Sequence, residues 1–267
     1  MKTIALIGLG AIGRLVLREL AGDSDIAVVG VLVRPKRLAE ARALLPPAVP
    51  AVTTVAELLR LKPDLVAECA GQGAVAEFAE AVLAHGTDLL VIATGAFADQ
   101  PLYRRLIATA KGAGARLLLP AGAIAGLDGL TALRIGGLDR VTYTSVKPPH
   151  AWAGTPAERT FPLDRLTERT VLFRGSPLEA ARSYPKNANL AMTVALAGIG
   201  VERTEIELVA DPAAADNVGR IEAEGRYGRL TLEFAGMPAP DNPKTSAVTA
   251  LSIVHAIRNL TATVIMP

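Results

Sequence analysis

Cysteine and long apolar runs are scarce in this sequence, and each absence excludes a class of protein. Cys69 is the only cysteine among 267 residues, so no intramolecular disulfide can form. No stretch stays apolar over the roughly 18 residues that a membrane-spanning helix needs, and the N-terminus begins with a strand-like segment instead of a signal peptide. We therefore expect a soluble, cytoplasmic protein in a reducing compartment, with no membrane partner.

Aromatic residues and excess charge are also sparse. Aromatic residues make up 4% of the chain and hydrophobic residues 51%, which predicts an aliphatic core. The formal net charge is +2, and no basic run extends beyond the short Arg34–Arg37 cluster. A nucleic-acid partner is therefore not expected, because proteins that bind nucleic acids carry a basic face or stripe. We expect no metal site either.

The segment Thr3–Arg14, TIALIGLGAIGR, combines an apolar strand, a glycine-rich turn and the start of a helix. In a turn of this spacing, Gly8 permits the tight bend, Gly10 lets the backbone approach a pyrophosphate, and Gly13 lets the helix pack against the strand. The first N–H groups of the helix then face the phosphates. A purely structural glycine turn is the alternative. We assign dinucleotide binding to Gly8, Gly10, Ala11, Ile12 and Gly13.

The second predicted strand, Ile26–Val33, ends in a basic cluster that contains Arg34, Lys36 and Arg37. A site for NAD would place an acidic residue at this tip to bind the ribose 2′-hydroxyl, and none is present there. Guanidinium and ammonium groups suit the 2′-phosphate of NADP instead. NADP is therefore the favoured cofactor, with Arg34 as its contact, while NAD and an ordinary solvated basic turn stay open.

Short apolar strands alternate with amphipathic helices from Lys2 to about Leu119. This alternation predicts an α/β fold in which residues 1–120 form a Rossmann dinucleotide-binding domain with a parallel sheet. Open sheets of this kind bind ligands at the carboxyl ends of their strands. The loops 68–71 and 93–96 follow such strands, and we assign Cys69 and Ala70 to the nicotinamide ribose. Ordinary strand-to-helix turns explain the two loops equally well.

The pattern changes after Leu119. Residues 120–128, PAGAIAGLD, are too rich in glycine and alanine for a packed strand and are interpreted as a crossover between domains. Alternating strands with intervening helices follow, which predicts an α+β catalytic and dimerisation domain over residues 121–245 with a mostly antiparallel sheet. Residues 246–267 are predicted to form a helix at Ala247–Leu260 and a strand at Thr261–Ile265 that could return to the first domain.

Three hydrophilic segments place a lysine beside prolines or small hydroxyl and amide residues: 147–155, 184–189 and 242–246. Proline fixes the backbone, and Lys, Asn, Thr and Ser supply donors, so the three segments together could hold a carboxylate substrate. We expect Lys186 and Lys244 to bind that carboxylate. Taken singly, each segment is also explained as an exposed turn.

A set of segments along essentially the whole chain resembles the L-aspartate dehydrogenase family: GLGAIG, ECAG, PAGAIAGLDGL, KPPHAWAGT, YPKNANLAMTVALAGIG, ADP followed by DNV, and NPKTSAVTALSIV. Members of that family interconvert L-aspartate with oxaloacetate and ammonia through iminoaspartate, use a nicotinamide cofactor and can feed NAD biosynthesis. The resemblance implies that Ala123 and Asn189 contact the dinucleotide. It also implies a Rossmann domain joined to a catalytic domain, and a homodimer.

The chain departs from the family pattern at one position. In the pattern, the motif after the ADP segment ends in Asn-Val-His or Asn-Ile-His, and the histidine is assigned the acid/base role; here Gly219 follows Val218. Of the three histidines in the chain, only His150 lies in a candidate substrate segment, where an imidazole suits proton transfer near neutral pH. His85 and His255 are interpreted as structural.

Three functions stay open. The first is an NAD(P)-dependent dehydrogenase whose substrates are an amino acid, an oxo acid, ammonia or a small amine. Gly219 would then leave space beside the reacting carbon and favour the reduction of imines over the oxidation of aspartate. The second is another small-substrate reductase, similar to homoserine dehydrogenase or dihydrodipicolinate reductase. The third is a catalytically silent protein that only binds a dinucleotide.

Overall fold

The computed structural model describes residues 1–239 and 242–266, except for the side chains of residues 186, 238, 239 and 242–245. The chain divides into two compact units. The first consists of Met1–Gly122 together with Ala239–Pro267, and the second of Ala123–Pro238. Among the described residues, no helix is both long and apolar enough to cross a membrane.

The first unit is built on a parallel sheet of six strands in the order β3-β2-β1-β4-β5-β6. This is the strand order of the dinucleotide-binding Rossmann fold, so the predicted fold class is confirmed. Only β3, a two-residue strand that follows Pro50, was not predicted. In chain order the elements are β1 Lys2–Ile7, α1 Ala11–Glu19, β2 Ile26–Leu32, α2 Leu38–Leu44, β3 Ala51–Val52, α3 Val55–Arg60, β4 Leu65–Glu68, α4 Gln72–Ala84, β5 Asp88–Val91, α5 Gln100–Ala113 and β6 Leu117–Leu118.

The centre of this sheet is apolar on both faces. Ile4 and Leu6 of β1 and Leu65 and Val66 of β4 are at most 1% exposed. Strands that are covered on both sides read as continuous apolar runs, which is why the sequence predicted them closely. Their carboxyl ends all meet at one edge of the sheet, because the strands are parallel.

The second unit contains a five-stranded sheet in the order β11-β10-β7-β9-β8. Only β7 and β9 pair in parallel; the other three neighbouring pairs are antiparallel, as predicted. The elements are α6 Leu127–Gly136, β7 Leu138–Lys147, α7 Ala157–Thr160, β8 Thr170–Gly175, α8 Pro177–Ser183, α9 Ala188–Ala197, β9 Thr204–Ala210, β10 Asn217–Gly225 and β11 Gly228–Gly236.

Helix α6 was not predicted. It begins inside the segment that we interpreted as a crossover. Gly129 and Gly136 lower the helix propensity of this stretch. Tertiary packing offsets that cost, because Leu130 is fully buried in the core of the second unit. Gly126 precedes the helix with a φ of 69°, a conformation that glycine adopts without strain.

The chain ends with β12 Pro238–Ala239, β13 Asn242–Ser246 and α10 Ala247–Arg258. The buried side chains of α10 belong to the apolar core of the first unit, and Nη2 of Arg258 donates to the carbonyl of Glu19 at 2.8 Å. The predicted terminal strand Thr261–Ile265 is wrong. The tail instead folds back, because the carbonyl of Met266 accepts a hydrogen bond from Nδ2 of Asn259 at 2.7 Å.

Candidate functional site

The three glycines of the first turn meet three different requirements. Gly8 has a φ of 98°, and a Cβ there would lie 2.7 Å from Cβ of Ala70. A Cβ at Gly13 would collide with the carbonyl oxygen of Gly8. At Gly10, by contrast, no described atom lies within 4 Å of a Cβ position. Packing within the protein therefore requires glycine at positions 8 and 13, whereas Gly10 leaves its backbone open to a ligand.

A cavity of about 740 Å³ lies at the carboxyl edge of the first unit's sheet. Its volume is in the range of small-molecule and cofactor sites. The lining runs from the glycine turn to the tip of β2 and the start of α4. Ala11, Ile12 and Gly13 form the first turn of α1 and are not part of the lining. The predicted residues that line it are Gly8, Gly10, Arg34, Cys69 and Ala70.

The basic cluster lies at one end of this cavity. Arg34 follows β2 in an extended conformation, and Pro35–Arg37 form a single 3₁₀ turn. Arg37 is already engaged, because its Nη2 lies 2.6 Å from Oε1 of Glu40. Arg34 and Lys36 take part in none of the ion pairs of the described residues. An anion in the cavity would therefore meet the charges of Arg34 and Lys36.

Glu68 is a site residue that the sequence analysis missed. Its side chain is 1% exposed, and its Oε1 accepts hydrogen bonds from the N–H groups of Ala70 at 2.7 Å and Gly71 at 2.6 Å. Its Oε2 accepts a hydrogen bond from the N–H of Ala93 at 3.0 Å. Burial raises the pKa of Glu68 although these bonds oppose the shift. One carboxyl group thus joins the loops after β4 and β5. A lone acidic residue ending an apolar strand was the available signal.

Cys69 serves packing rather than chemistry. Its side chain is 6% exposed, and burial, followed by the neighbouring Glu68, raises the pKa of its thiol. A protonated, enclosed thiol is a poor nucleophile. The N–H of Cys69 donates to the carbonyl of Ile7 at 2.8 Å, which continues the pairing of β1 with β4.

Gly219 lies on β10 opposite Ser145 of β7. We predicted that the missing imidazole would leave space here, and this prediction is wrong. A Cβ at Gly219 would lie 2.8 Å from Cδ1 of Ile124 and 3.4 Å from Oη of Tyr143. Both neighbours belong to the core of the second unit. Their side chains fill the volume beside the glycine, because protein interiors tolerate few voids.

Lys147 is the last residue of β7, and it is the second functional candidate that the sequence analysis did not single out. Its Nζ donates to Oδ1 of Asn187 and lies 5.1 Å from the centroid of the Trp152 ring. Burial lowers the pKa of Lys147 to about 8. Its position after Val141 and Tyr143 on the core face of the strand was a readable signal.

The remaining predicted residues are spread over both units. His150 lies in the 3₁₀ turn Pro149–Trp152 and is exposed. Asn189 is in the first turn of α9, and Ala123 begins the second unit. The side chains of Lys186 and Lys244 lie outside the described part of the structure. Within that part, no group of histidine, cysteine and acidic residues could hold a metal ion.

The six-stranded sheet in Rossmann order, the open backbone at Gly10 and the cavity beside it define a dinucleotide-binding protein with a separate α+β unit. Two family models match the two parts of the chain separately. Residues 8–120 match "Homoserine dehydrogenase, NAD binding domain" and residues 128–260 match "Aspartate dehydrogenase, C-terminal". The chain belongs to the aspartate dehydrogenase family, and it is an NAD(P)-dependent dehydrogenase.

Relatives cover nearly the whole chain. The L-aspartate dehydrogenase of Cupriavidus necator is 44% identical over 259 residues, which are 97% of each protein. The enzyme of the same name from Pseudomonas aeruginosa is 44% identical over 267 residues, with the same coverage. The resemblance that the sequence motifs indicated is therefore confirmed.

Solved structures agree at the level of fold. Aspartate dehydrogenase from Thermotoga maritima matches with a TM-score of 0.78 and 26% identity, and the match covers all of both chains. A hyperthermophilic archaeal homoserine dehydrogenase in complex with NADPH matches with a TM-score of 0.63 over 98% of each chain. At 14% identity, that second likeness shows only the shared fold.

Proposed function

We propose that this dehydrogenase uses NADP(H) in preference to NAD(H). The observation that carries the proposal is the continuous cavity that joins the glycine turn to Arg34 and Lys36. A nicotinamide dinucleotide whose pyrophosphate lies at Gly10 would direct its adenosine ribose toward the tip of β2. A 2′-phosphate there would meet two cations, and Glu40, the nearest carboxylate along the chain, is engaged by Arg37.

The residues of the first unit fit such a cofactor. The backbone at Gly10 is open to a pyrophosphate, and the first turn of α1 offers unpaired N–H groups. Cys69 and Ala70 would border the nicotinamide ribose, in a loop that Glu68 holds in place. When bound, the nicotinamide exchanges a hydride with the substrate carbon. Contacts from Ala123 and Asn189 stay predictions from the family resemblance.

We further propose that the substrate pair is an amino dicarboxylate and its oxo acid, with L-aspartate as the first candidate because relatives carry that name. Two carboxylates need cationic or amide partners. Lys186 and Lys244 stay candidates for this role, and so do the donors of the segment that begins at Lys147. A homodimer and a cytoplasmic location also stay predictions.

Position 219 bears on the step that interconverts the imine and the oxo acid, and not on hydride transfer to the imine. Adding water to an imine, the step that releases the oxo acid, needs a base, and a missing base commonly costs roughly 10²- to 10⁴-fold in rate. Gly219 supplies none, and His150 is exposed on a separate turn. Forming the imine from an oxo acid is the same step in reverse, so we propose that the reduction of imines formed in solution from oxo acids or ketones with ammonia or small amines outpaces aspartate oxidation at neutral pH.

The test follows the absorbance of NADPH or NADH with oxaloacetate and ammonia, and in reverse with L-aspartate. We expect faster turnover with NADPH, and faster reductive amination than aspartate oxidation. Equal kcat/KM for the two cofactors would contradict the NADP proposal. Turnover confined to carbonyl compounds without ammonia would favour a homoserine-dehydrogenase-like reductase. Cofactor binding without any turnover would identify a silent binding protein.

A further inference from the structure

Lys147 is a partly buried amine without an ionic partner in the described structure. Its hydrogen-bond acceptor is Oδ1 of Asn187, and its other close contact is the ring of Trp152, which is fully buried. No ion pair among the described residues includes Lys147. A partly buried lysine that no carboxylate neutralises lowers the stability of the fold, and placements of this kind are concentrated at functional sites.

The charges around Lys147 do not offset its burial. Asp211 follows β9 and donates its N–H to the carbonyl of Lys147, but its carboxylate accepts a hydrogen bond from the N–H of Ala213. Burial is the cause that lowers the pKa of Lys147 to about 8. The strands paired with β7 carry Glu205, Glu207, Arg220, Glu222 and Glu224, all of which form ion pairs with residues other than Lys147. The adjoining segments carry His150, Tyr184, Lys186, Asp211 and Asp216.

Strand register places Lys147 on the same face of the sheet as Gly219. Gly219 pairs with Ser145, and Lys147 is two residues further along β7, so their side-chain directions agree. Diagonal neighbours on adjacent strands are roughly 7–8 Å apart, which a lysine side chain can span. Tyr143 shares this face, but burial raises the pKa of its hydroxyl, so it does not exchange protons near neutral pH.

From this placement we infer that Lys147 is the proton-transfer group for the interconversion of imine and oxo acid, acting from the strand beside Gly219. The inference rests on the proposed function. It deepens that function, because it assigns the acid/base role to a residue of this chain in place of the absent imidazole.

Ammonia adds to the carbonyl carbon of the oxo acid and gives a neutral carbinolamine. The Lys147 ammonium then donates a proton to the hydroxyl group, the C–O bond breaks, and water leaves with the bonding pair. The nitrogen lone pair forms the C=N bond, which yields an iminium ion and a neutral Lys147 amine. In reverse, that amine takes a proton from water as the water oxygen bonds to the iminium carbon.

The same titration explains the preferred direction. Below about pH 8 most Lys147 side chains are ammonium ions, which are competent to dehydrate the carbinolamine. Only the neutral amine can activate water, so aspartate oxidation rises as the pH rises through about 8. With Lys147 as the proton-transfer group, imine formation and reduction are therefore faster than aspartate oxidation at neutral pH.

The first experiment compares the unaltered protein with Lys147→Met and Lys147→Arg, with Lys111→Met on exposed α5 as the matched control. Reductive amination of oxaloacetate is measured over pH 6 to 10 at constant free ammonia. We expect kcat to fall roughly 10²- to 10⁴-fold in both Lys147 variants, with loss of the inflection near pH 8. Reduction of a preformed cyclic imino acid, which needs no dehydration step, should persist.

A second measurement needs no turnover. Acetylation of the cofactor-free protein with acetic anhydride, followed by peptide mass spectrometry, reports how the reactivity of Lys147 varies with pH. A midpoint near pH 8 is expected, against the ordinary lysine value of 10.5. Lys111 in the same sample is the exposed reference. Because it requires no turnover, this measurement tests the pKa of Lys147 even if oxaloacetate and ammonia prove not to be substrates.

Three results would overturn the inference. One is a Lys147→Met variant whose kcat stays within about threefold of the unaltered protein and keeps its pH profile. Another is full activity in Lys147→Arg, since charge alone would then suffice. The third is an acetylation midpoint at the ordinary lysine value. A raised KM with unchanged kcat would reassign Lys147 to carboxylate binding. Absence of turnover in the unaltered protein would instead refute the proposed function.

Discussion

At the scale of single residues, Arg34 decides the cofactor preference that we propose. Arg34→Asp should weaken NADPH binding by about 1.5–3 kcal/mol, because it removes a charged hydrogen bond and adds repulsion toward the 2′-phosphate. Binding of NADH, which lacks that phosphate, should change little. Fluorescence titration of each dinucleotide measures both affinities. The matched control is Arg104→Asp on the exposed side of α5, which alters net charge equally. Equal losses for NADH and NADPH would contradict the assignment.

Glu68 should stabilise the loops after β4 and β5 rather than the sheet itself. In Glu68→Gln, the side-chain amide presents a donor where the carboxylate now accepts the N–H of Ala93. A buried donor left unsatisfied costs about 1–3 kcal/mol of stability, so the free energy of unfolding should fall by that amount. Urea denaturation measures it, with exposed Glu80→Gln on α4 as the control. An unchanged unfolding midpoint would show that the loops do not depend on this carboxyl group.

The stability of the protein should depend on pH through Lys147. The folded-state pKa of about 8 lies below the ordinary value of 10.5, so the unfolded chain binds this proton more tightly. Between these two values stability therefore rises with pH, by at most roughly 3 kcal/mol for this one group. Lys147→Met should remove that rise and should be the more stable protein near pH 7. Urea denaturation from pH 7 to 10.5 tests this, and a constant difference between the two proteins would contradict it.

At the scale of elements, the pairing of β7 with β10 determines what position 219 tolerates. Gly219→His alone should destabilise the protein by about 1–3 kcal/mol, because a whole imidazole would have to displace the Ile124 side chain and crowd Tyr143 in the core. Combining it with Ile124→Ala should relieve the overlap. Aspartate oxidation at neutral pH should rise in the double variant, since an imidazole is a base at that pH. Ile124→Ala alone is the control. No gain over it in the oxidation rate would refute our account of the missing histidine.

Helix α6 and the tail after α10 were predicted wrongly for the same physical reason. Helix α6 contains glycines and depends on Leu130, which is buried in the core of the second unit. The tail after α10 has the β-branched residues of a strand, yet its backbone is held by the side chain of Asn259. In both cases contacts outside the local segment override its intrinsic propensity.

At the scale of the whole molecule, we predict a homodimer. The family resemblance motivates this expectation, and a lasting homodimer would bury an apolar interface of about 2,000 Å² or more. Light scattering after size-exclusion chromatography should give twice the chain mass of 27.8 kDa, without dissociation on tenfold dilution. A mass of one chain at micromolar concentration would contradict the prediction.

Much of the molecule was determined by the sequence alone. Continuous apolar runs predicted the strands of the parallel sheet, and alternating apolar and polar residues predicted those of the mostly antiparallel sheet, because the burial of each strand face is reflected in the order of its residues. The glycine turn and the basic tip of β2 were readable for the same reason: each is a local feature with its chemistry contained in a few neighbouring residues. The motifs, spread along the chain, were enough to indicate the family.

Only the tertiary structure decided how distant residues combine. The bond from Glu68 to Ala93, the filling of the space at Gly219 by Ile124 and Tyr143, and the burial of Lys147 all join residues far apart in the chain. These contacts are set by packing. Packing depends on side-chain volumes and on strand register, and neither can be read from a short stretch of sequence. The same lysine would be an ordinary surface charge in an exposed turn. Partial burial on the core face of β7 is what lowers its pKa to about 8.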